Sequence, residues 1–321
     1  MGVLEEEHAG FQSTLADLRR LFTKRRAAAE GLDAAVRGRE ASDAEAVREG
    51  ARVIELEARV EALEAAVQPG RARTVQGELN AALRTRFGGA DIPTLGASRT
   101  DAGVHARGQC AHADLPVAPL GGAPLELLEH QINRLLPDDA RVHDLRPAPA
   151  PKPWQAREGL PWHAIANAAG KRYAYRLTAR RGSADPLGRL YRGHVAYRAV
   201  DFGRLDDALA CFVGEHDFAA FANNAPGVDP SGAARSTTRS IRSATLLDEG
   251  GGDATLTFEL DGALYKMVRN VVGAAVAVAD GALPRDAIPA LLAPGARRAD
   301  NPAKAAPACG LCLEEVYYDD Y

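Results

Sequence analysis

The chain has 321 residues, 46% of them hydrophobic and 26% charged, with a formal net charge of −4. That is enough apolar material for one large or two modest domains, and it excludes a protein that holds nucleic acid through bulk positive charge, although a local basic cleft stays open. Residues 1–70 carry 10 Lys+Arg and 14 Asp+Glu, which leaves 29 of each sign for residues 71–321, so the excess acid sits at the start and the body is neutral.

Residues 1–68 read as helical. Leu4, Phe11, Leu15, Leu18, Phe22, Ala29, Leu32 and Val36 follow 4-3 spacing, interrupted by His8 and Arg25. Ser42-Asp43-Ala44-Glu45 has capping-box form, and Val53, Leu56, Val60, Leu63 and Val67 continue the seam to Pro69-Gly70. A helical hairpin or short coiled coil is expected, either as a surface for a helical partner over residues 4–68 or as an accessory pair packed on the body. The first residues lack a signal-peptide pattern, and Glu5, Glu6 and Glu7 speak against a transit peptide. The cytoplasm is the default compartment, with an organelle left open.

From Thr74 the pattern changes. Val75, Leu79, Leu83 and Phe87 recur every four residues and predict a helix. A loop containing Arg99-Thr100-Asp101-Ala102-Gly103-Val104-His105 follows, then a strand near 107–115. Leu127, Leu128, Ile132, Leu135 and Leu136 predict a second helix stopped by Pro137, and 141–145 reads as a short strand. Five prolines between 147 and 161 suggest a linker between two halves, 71–150 and 151–321. In the second half Tyr173, Tyr175 and Leu177 alternate on one strand face. A helix is expected over about 202–213 and a Gly/Pro/Asn loop over 223–234. A strand is expected at 255–260, a helix at 266–279 and a closing strand at 311–317. Helices and short strands without strict βαβ order favour an α+β fold with largely antiparallel sheet.

No apolar run is long enough to span a membrane; the one from Val271 to Ala279 is too short. Neither a Gly-x-Gly-x-x-Gly after a strand nor a Walker-type lysine loop is present, which argues against a nucleotide cofactor. Cys309-Gly-Leu-Cys312 has no second pair at zinc spacing and reads as two small positions of the last strand. Glu215, His216 and Asp217 invite a metal reading, but three adjacent residues on a turn do not readily converge on one ion.

Taken alone, Asp101 is a turn or capping residue. Its company points elsewhere. Asn133-Arg134-Leu135-Leu136-Pro137, Trp162-His163-Ala164, Lys171-Arg172-Tyr173-Ala174-Tyr175, Gly214-Glu215-His216-Asp217-Phe218, Met267-Val268-Arg269-Asn270-Val271-Val272-Gly273 and Ala306-Pro307-Ala308-Cys309-Gly310-Leu311 follow the Asp101 loop in order. The set resembles the tRNA pseudouridine synthase A family over about residues 73–321. The resemblance implies two ferredoxin-like-derived halves sharing a mainly antiparallel sheet with a cleft between them, a homodimer, and a tRNA substrate modified in the anticodon stem-loop. It implies a chemistry that uses neither metal nor cofactor. Asp101 is implied as nucleophile or base, Arg269 as its cationic partner and Tyr173 as the active-site tyrosine. Arg99 is the implied RNA contact, and Lys171 and Arg172 open a basic run that reads either as further RNA contacts or as a solvated face. His105, which sits in the loop without a chemical role of its own, is grouped with them; Arg176, Arg180 and Arg181 extend the basic run. A base stacked inside a helix cannot reach a carboxylate, so base flipping is a physical requirement.

Two departures are visible. The family's first strand, with its Tyr-Asp-Gly-type turn and Gly-Trp-Gln segment, has no counterpart in residues 1–70, and Ile165 stands where an arginine is usual. The alternatives are a catalytically degenerate RNA-binding relative or a coiled-coil interaction protein.

Overall fold

The computed structural model describes residues 73–116, 124–180, 185–195, 199–223 and 236–318. The expected helices of residues 1–70, the absent first strand, the loop over 224–234 and Arg181 lie outside these residues. In chain order the elements are α1 (Val75–Arg86), β1 (Leu95–Gly96), β2 (His105–Ala106), β3 (Ala111–His112), α2 (Leu125–Asn133), α3 (Pro153–Arg157), β4 (Ala168–Thr178) and β5 (Gly193–His194). They continue with α4 (Phe202–Ala210), β6 (Gly214–Asp217), β7 (Thr238–Gly250), β8 (Asp253–Leu260), α5 (Met267–Ala279), α6 (Ala287–Leu292) and β9 (Leu311–Tyr318). The chain divides into two compact units. One runs to Gly96 and resumes over Ala111–Ala166; the other combines Ala97–Cys110 with Asn167–Tyr321.

In the first unit α1 starts where Thr74 caps it, its hydroxyl accepting from the Gly77 amide at 3.1 Å. Glu78 in the first turn and Arg84 and Arg86 in the last complement the helix dipole. Leu83 and Phe87 are buried against Leu128, Ile132 and Leu136 of α2 and its end. Val75 is exposed, because the first turn overhangs this small core. Leu127 and Leu135 are likewise exposed, so only three of the five residues read as the α2 stripe are core.

The strand expected at 141–145 is absent. Asp144 takes φ +56°, which interrupts an extended run. Side chains of α2 replace strand neighbours: Asn133 donates to the Val142 carbonyl and accepts from its amide, both at 2.7 Å, and Glu129 accepts from the Leu145 amide at 2.8 Å. The expected linker contains α3, which buries Gln155 between the Lys152 amide and the Pro161 carbonyl.

His163 lies 4.8 Å from His112 between ring centroids, and His112 meets Trp162 edge-on at 5.9 Å. Burial first, and the neighbouring His112 second, pull the His163 imidazole down from 6.5 to about 4. Between those values the unfolded chain binds more protons than the folded one. The stabilising contribution is therefore complete above pH 6.5 and drains as pH falls toward 4. Urea midpoints of the intact chain should drop across that window, and His163→Gln should flatten the drop; equal slopes in both proteins would contradict this.

The second unit carries a sheet ordered β2-β9-β4-β8-β7-β6, with β5 added on β4. It is antiparallel except for the β2–β9 and β4–β5 pairs. The α+β content and largely antiparallel sheet agree with the sequence reading. Tyr173, Tyr175 and Leu177 of β4 and Ala254, Leu256, Phe258 and Leu260 of β8 are all buried, in one core with α4 and α5. α5 is buried well beyond the expected Met267–Val271–Ala274–Val278 face: Val268, Val272, Ala275, Val276 and Ala279 are covered too. β7 and α6 have no counterpart in the sequence reading, and Gly214–Asp217, read as a turn, is strand β6 paired with β7.

Candidate functional site

The Asp101 loop is built into the second unit by its ends. His105 and Ala106 pair in parallel with Cys312 and Leu313 of β9, and the Arg107 amide donates to the Leu313 carbonyl at 2.8 Å. At the start, the Ala97 amide donates to the Cys110 carbonyl at 2.8 Å and Gln109 donates to the Ser98 carbonyl at 2.5 Å. Between them a turn closes through the Val104 amide and the Asp101 carbonyl at 3.0 Å, with Gly103 at φ +80° against Ala308. That left-handed position favours glycine, which accounts for the Ala102-Gly103 pair.

The Asp101 side chain does not cap its own turn. Its Oδ2 accepts from Arg269 Nη1 at 2.9 Å, and both side chains are only 15% exposed. Arg269 projects from the first turn of α5, and its Nε donates to the Ala306 carbonyl at 2.9 Å while the Ala306 amide returns a bond to the Arg269 carbonyl. The guanidinium is therefore held at two points, by the Ala306 carbonyl at Nε and by the Asp101 carboxylate at Nη1, which a lysine could not reproduce. Among the described residues Asp101 Oδ1 makes no hydrogen bond, so one carboxylate oxygen is not engaged by the ion pair.

Gly273 makes the Arg269 anchor possible. A methyl group there would collide with the Lys304 carbonyl oxygen, so only glycine lets α5 pack this closely on residues 304–306. Gly273→Ala should displace that segment, costing about 1–3 kcal/mol of stability by overpacking, and should lower turnover as well. An unchanged urea midpoint together with full turnover would show that the segment yields freely.

Tyr173 sits on β4 opposite Phe258 and Leu313. Its hydroxyl lies 3.4 Å from Ser98 Oγ, at the base of the same loop. Burial pushes the hydroxyl above its usual range, and Asp101 nearby adds to the rise. Tyr173 therefore stays protonated at neutral pH and offers a ring and a hydroxyl rather than a phenolate. Tyr175 is a core residue: its hydroxyl donates to the Pro307 carbonyl at 2.9 Å, and Gly193 and Gly310 both abut its ring. The Ala306–Leu311 block thus backs the Asp101 loop, Arg269 and Tyr175 together.

The other sequence candidates fall outside this cluster. Arg172 is paired with Glu315 of β9 and lies over the Tyr317 ring at 5.6 Å. Arg176 pairs with Glu314 at 2.8 Å and Arg180 with Asp253 at 2.7 Å. Much of the basic run is thereby engaged in cross-strand ion pairs. Lys171 shares the Tyr173 face, and burial with Arg239 nearby lowers its ammonium pKa. Arg99 is exposed. His105 faces the turn at 190–191, its Nε2 2.6 Å from the Leu190 carbonyl.

Glu215, His216 and Asp217 diverge along β6. His216 contacts the Val213 carbonyl and Asp217 accepts from Thr237. Cys309 and Cys312 are free thiols. Sequence reasoning gave no role to Ser98, the Ala306 carbonyl or Gly273, although Ala306 and Gly273 lie within blocks it singled out and Ser98 directly precedes the Asp101 loop.

The chain is similar to several relatives over most of its length. A tRNA pseudouridine synthase A from Streptomyces griseus is 40% identical over 252 residues, 77% of this chain and 80% of the relative. One from Streptomyces avermitilis is 38% identical with the same shares covered. One from Nitratidesulfovibrio vulgaris strain Hildenborough is 37% identical over 283 residues, covering 77% of this chain and 88% of the relative. A family model described as tRNA pseudouridine synthase matches residues 208–319, which include Arg269.

Proposed function

The chain belongs to the tRNA pseudouridine synthase A family, and on that premise we propose that it is an isomerase converting uridine to pseudouridine in the tRNA anticodon stem-loop, with Asp101 as nucleophile or base. The observation that carries the site assignment is the ion pair between Asp101 and Arg269, 168 residues apart in the chain and both largely buried. A carboxylate withdrawn from water and held by one oxygen is a costly arrangement for a plain turn and an apt one for chemistry at a sugar or base.

In this reading the N1–C1′ bond of uridine breaks, the base turns, and a bond forms from C5 to C1′. The C5 proton leaves to solvent and N1 gains one, so atoms balance without an oxidant or a second substrate. Asp101 either bonds transiently to the sugar or removes a proton; Arg269 offsets its charge and fixes its rotamer. Tyr173, protonated, lies beside the detached base and offers its hydroxyl for a proton relay. Arg99, His105, Lys171 and Arg172 remain the proposed RNA contacts, and the homodimer implied by the resemblance belongs to the same reading. Among the described residues no helix is long and apolar enough to cross a membrane.

The test is tritium release from C5-labelled uridine in unmodified tRNA transcript, since C5 loses its hydrogen only when the new carbon–carbon bond forms. Release by the intact chain is expected. No release from folded protein across a broad tRNA pool would leave a binder without the activity.

A further inference from the structure

We propose that Tyr191, backed by His105, is a stacking platform that binds an unpaired nucleotide of the RNA beside the uridine held at Asp101. The inference rests on the reading of the chain as a tRNA-uridine isomerase and adds a binding subsite to it.

The turn over residues 185–191 displays its side chains in an unusual way. Leu187 is 90%, Leu190 52% and Tyr191 62% exposed, yet the backbone beneath them is tied down. Asp185 accepts from the Leu187 and Gly188 amides at 3.0 and 3.2 Å, and the Gly188 carbonyl accepts from the Tyr191 and Arg192 amides at 3.0 and 3.1 Å. Arg192 fastens the end of the turn to the Leu177 carbonyl at 2.8 Å and to Glu249 at 2.6 Å. An aromatic ring on a fixed turn loses little entropy on binding a partner, and single exposed leucines would need no such support.

His105 joins this turn to the catalytic loop. Its Nε2 lies 2.6 Å from the Leu190 carbonyl, which can only accept, so that nitrogen carries the proton. Its ring centroid lies 5.0 Å from that of Tyr191 with the planes 35° apart. The imidazole therefore props one face of the phenol and leaves the rest of the ring to solvent. His105 follows directly on the four-residue turn that begins at Asp101. Such a turn keeps its end Cα atoms within about 7 Å and the next Cα is one 3.8 Å step further, so the His105 and Asp101 Cα atoms are within about 11 Å. That is the reach of a neighbouring nucleotide on the same strand.

Charge selects the occupant. Arg189, in the middle of the exposed turn, donates to the Pro186 carbonyl at 3.2 Å and has no carboxylate partner among the described residues. A flat ring beside a cation suits a base stacked on its face with phosphate at the edge. A bare apolar patch without cations would suit protein instead.

The experiment uses the intact chain and two readouts, steady-state tritium release and fluorescence anisotropy of labelled, unmodified tRNA. Tyr191→Ala should raise KM and Kd on the order of tenfold, with the loss falling on KM rather than kcat. Tyr191→Phe and Tyr191→Trp should restore binding, because the ring and not the hydroxyl is used. Unchanged KM and Kd in Tyr191→Ala would overturn the platform. An equal loss in Tyr191→Phe would overturn stacking in favour of a hydroxyl contact. Loss of a concentration-dependent dimer in Tyr191→Ala by light scattering, with tRNA affinity intact, would assign the turn to a second copy. The underlying reading fails separately, through absence of tritium release by the wild-type chain. The anisotropy comparison still decides the platform in that case.

Discussion

Asp101→Asn is expected to reduce tritium release by at least about a thousandfold while leaving tRNA affinity within a few-fold of wild type. The amide keeps the shape of the carboxylate and an acceptor for Arg269 Nη1, so the 2.9 Å contact can persist. What is lost is the charge, and with it both the nucleophile and the base. The variant is cleaner than Asp101→Ala, which leaves the guanidinium facing a cavity. Even so, Arg269 is only 15% exposed, and losing its ionised partner should cost about 1–3 kcal/mol of stability. Urea midpoints measured beside turnover separate the two effects. A folded Asn variant that turns over within tenfold of wild type would remove Asp101 from the chemistry. A variant that loses tRNA binding in proportion to turnover would recast Asp101 as a binding residue.

The elements legible in the sequence are those whose burial follows a simple period. β8 alternates cleanly because it contributes one face to a single core, and α1 is marked by its Thr74 cap and four-residue stripe. β7 escaped for the opposite reason. Over Thr238–Gly250 only Ile241 is fully buried, Leu247 is exposed, and register shifts after Ile241 and after Asp248 break the two-residue period. The segment at 141–145 has strand-like composition but obtains its hydrogen bonds from Asn133 and Glu129, a tertiary arrangement that local pattern does not encode. The ion pairs of the basic run were not visible in the sequence because the partners, Glu314, Glu315 and Asp253, lie on other strands. The candidate site was proposed through the resemblance alone. No spacing relates Asp101, Tyr173 and Arg269; a turn, a strand and a helix bring them together, and the backbone of Ala306 completes the anchor. The placement of Tyr191 beside His105 depends on a turn that carries no motif.

Arg269→Ala is expected to lower turnover by about a hundredfold or more, with a smaller effect on tRNA affinity. The side chain binds the Ala306 carbonyl through Nε and Asp101 through Nη1, so its removal frees the carboxylate to rotate and leaves its charge without an offset. Arg269→Lys tests which matters more. Its ammonium restores the charge but is a single point that does not span both partners. Recovery to near wild type would mean that charge suffices; little recovery would mean that the two-point anchor sets the geometry. The decisive comparison is the double variant with Asp101→Asn. If Arg269 acts by positioning Asp101, removing it from a chain that already lacks the carboxylate should change turnover only a few-fold, because groups acting as one unit are strongly non-additive. If the two losses multiply, Arg269 has a separate contact with RNA. In that case the ion pair is a consequence of two groups facing the same substrate, and the bond to the Ala306 carbonyl serves to aim the guanidinium at phosphate rather than to hold Asp101.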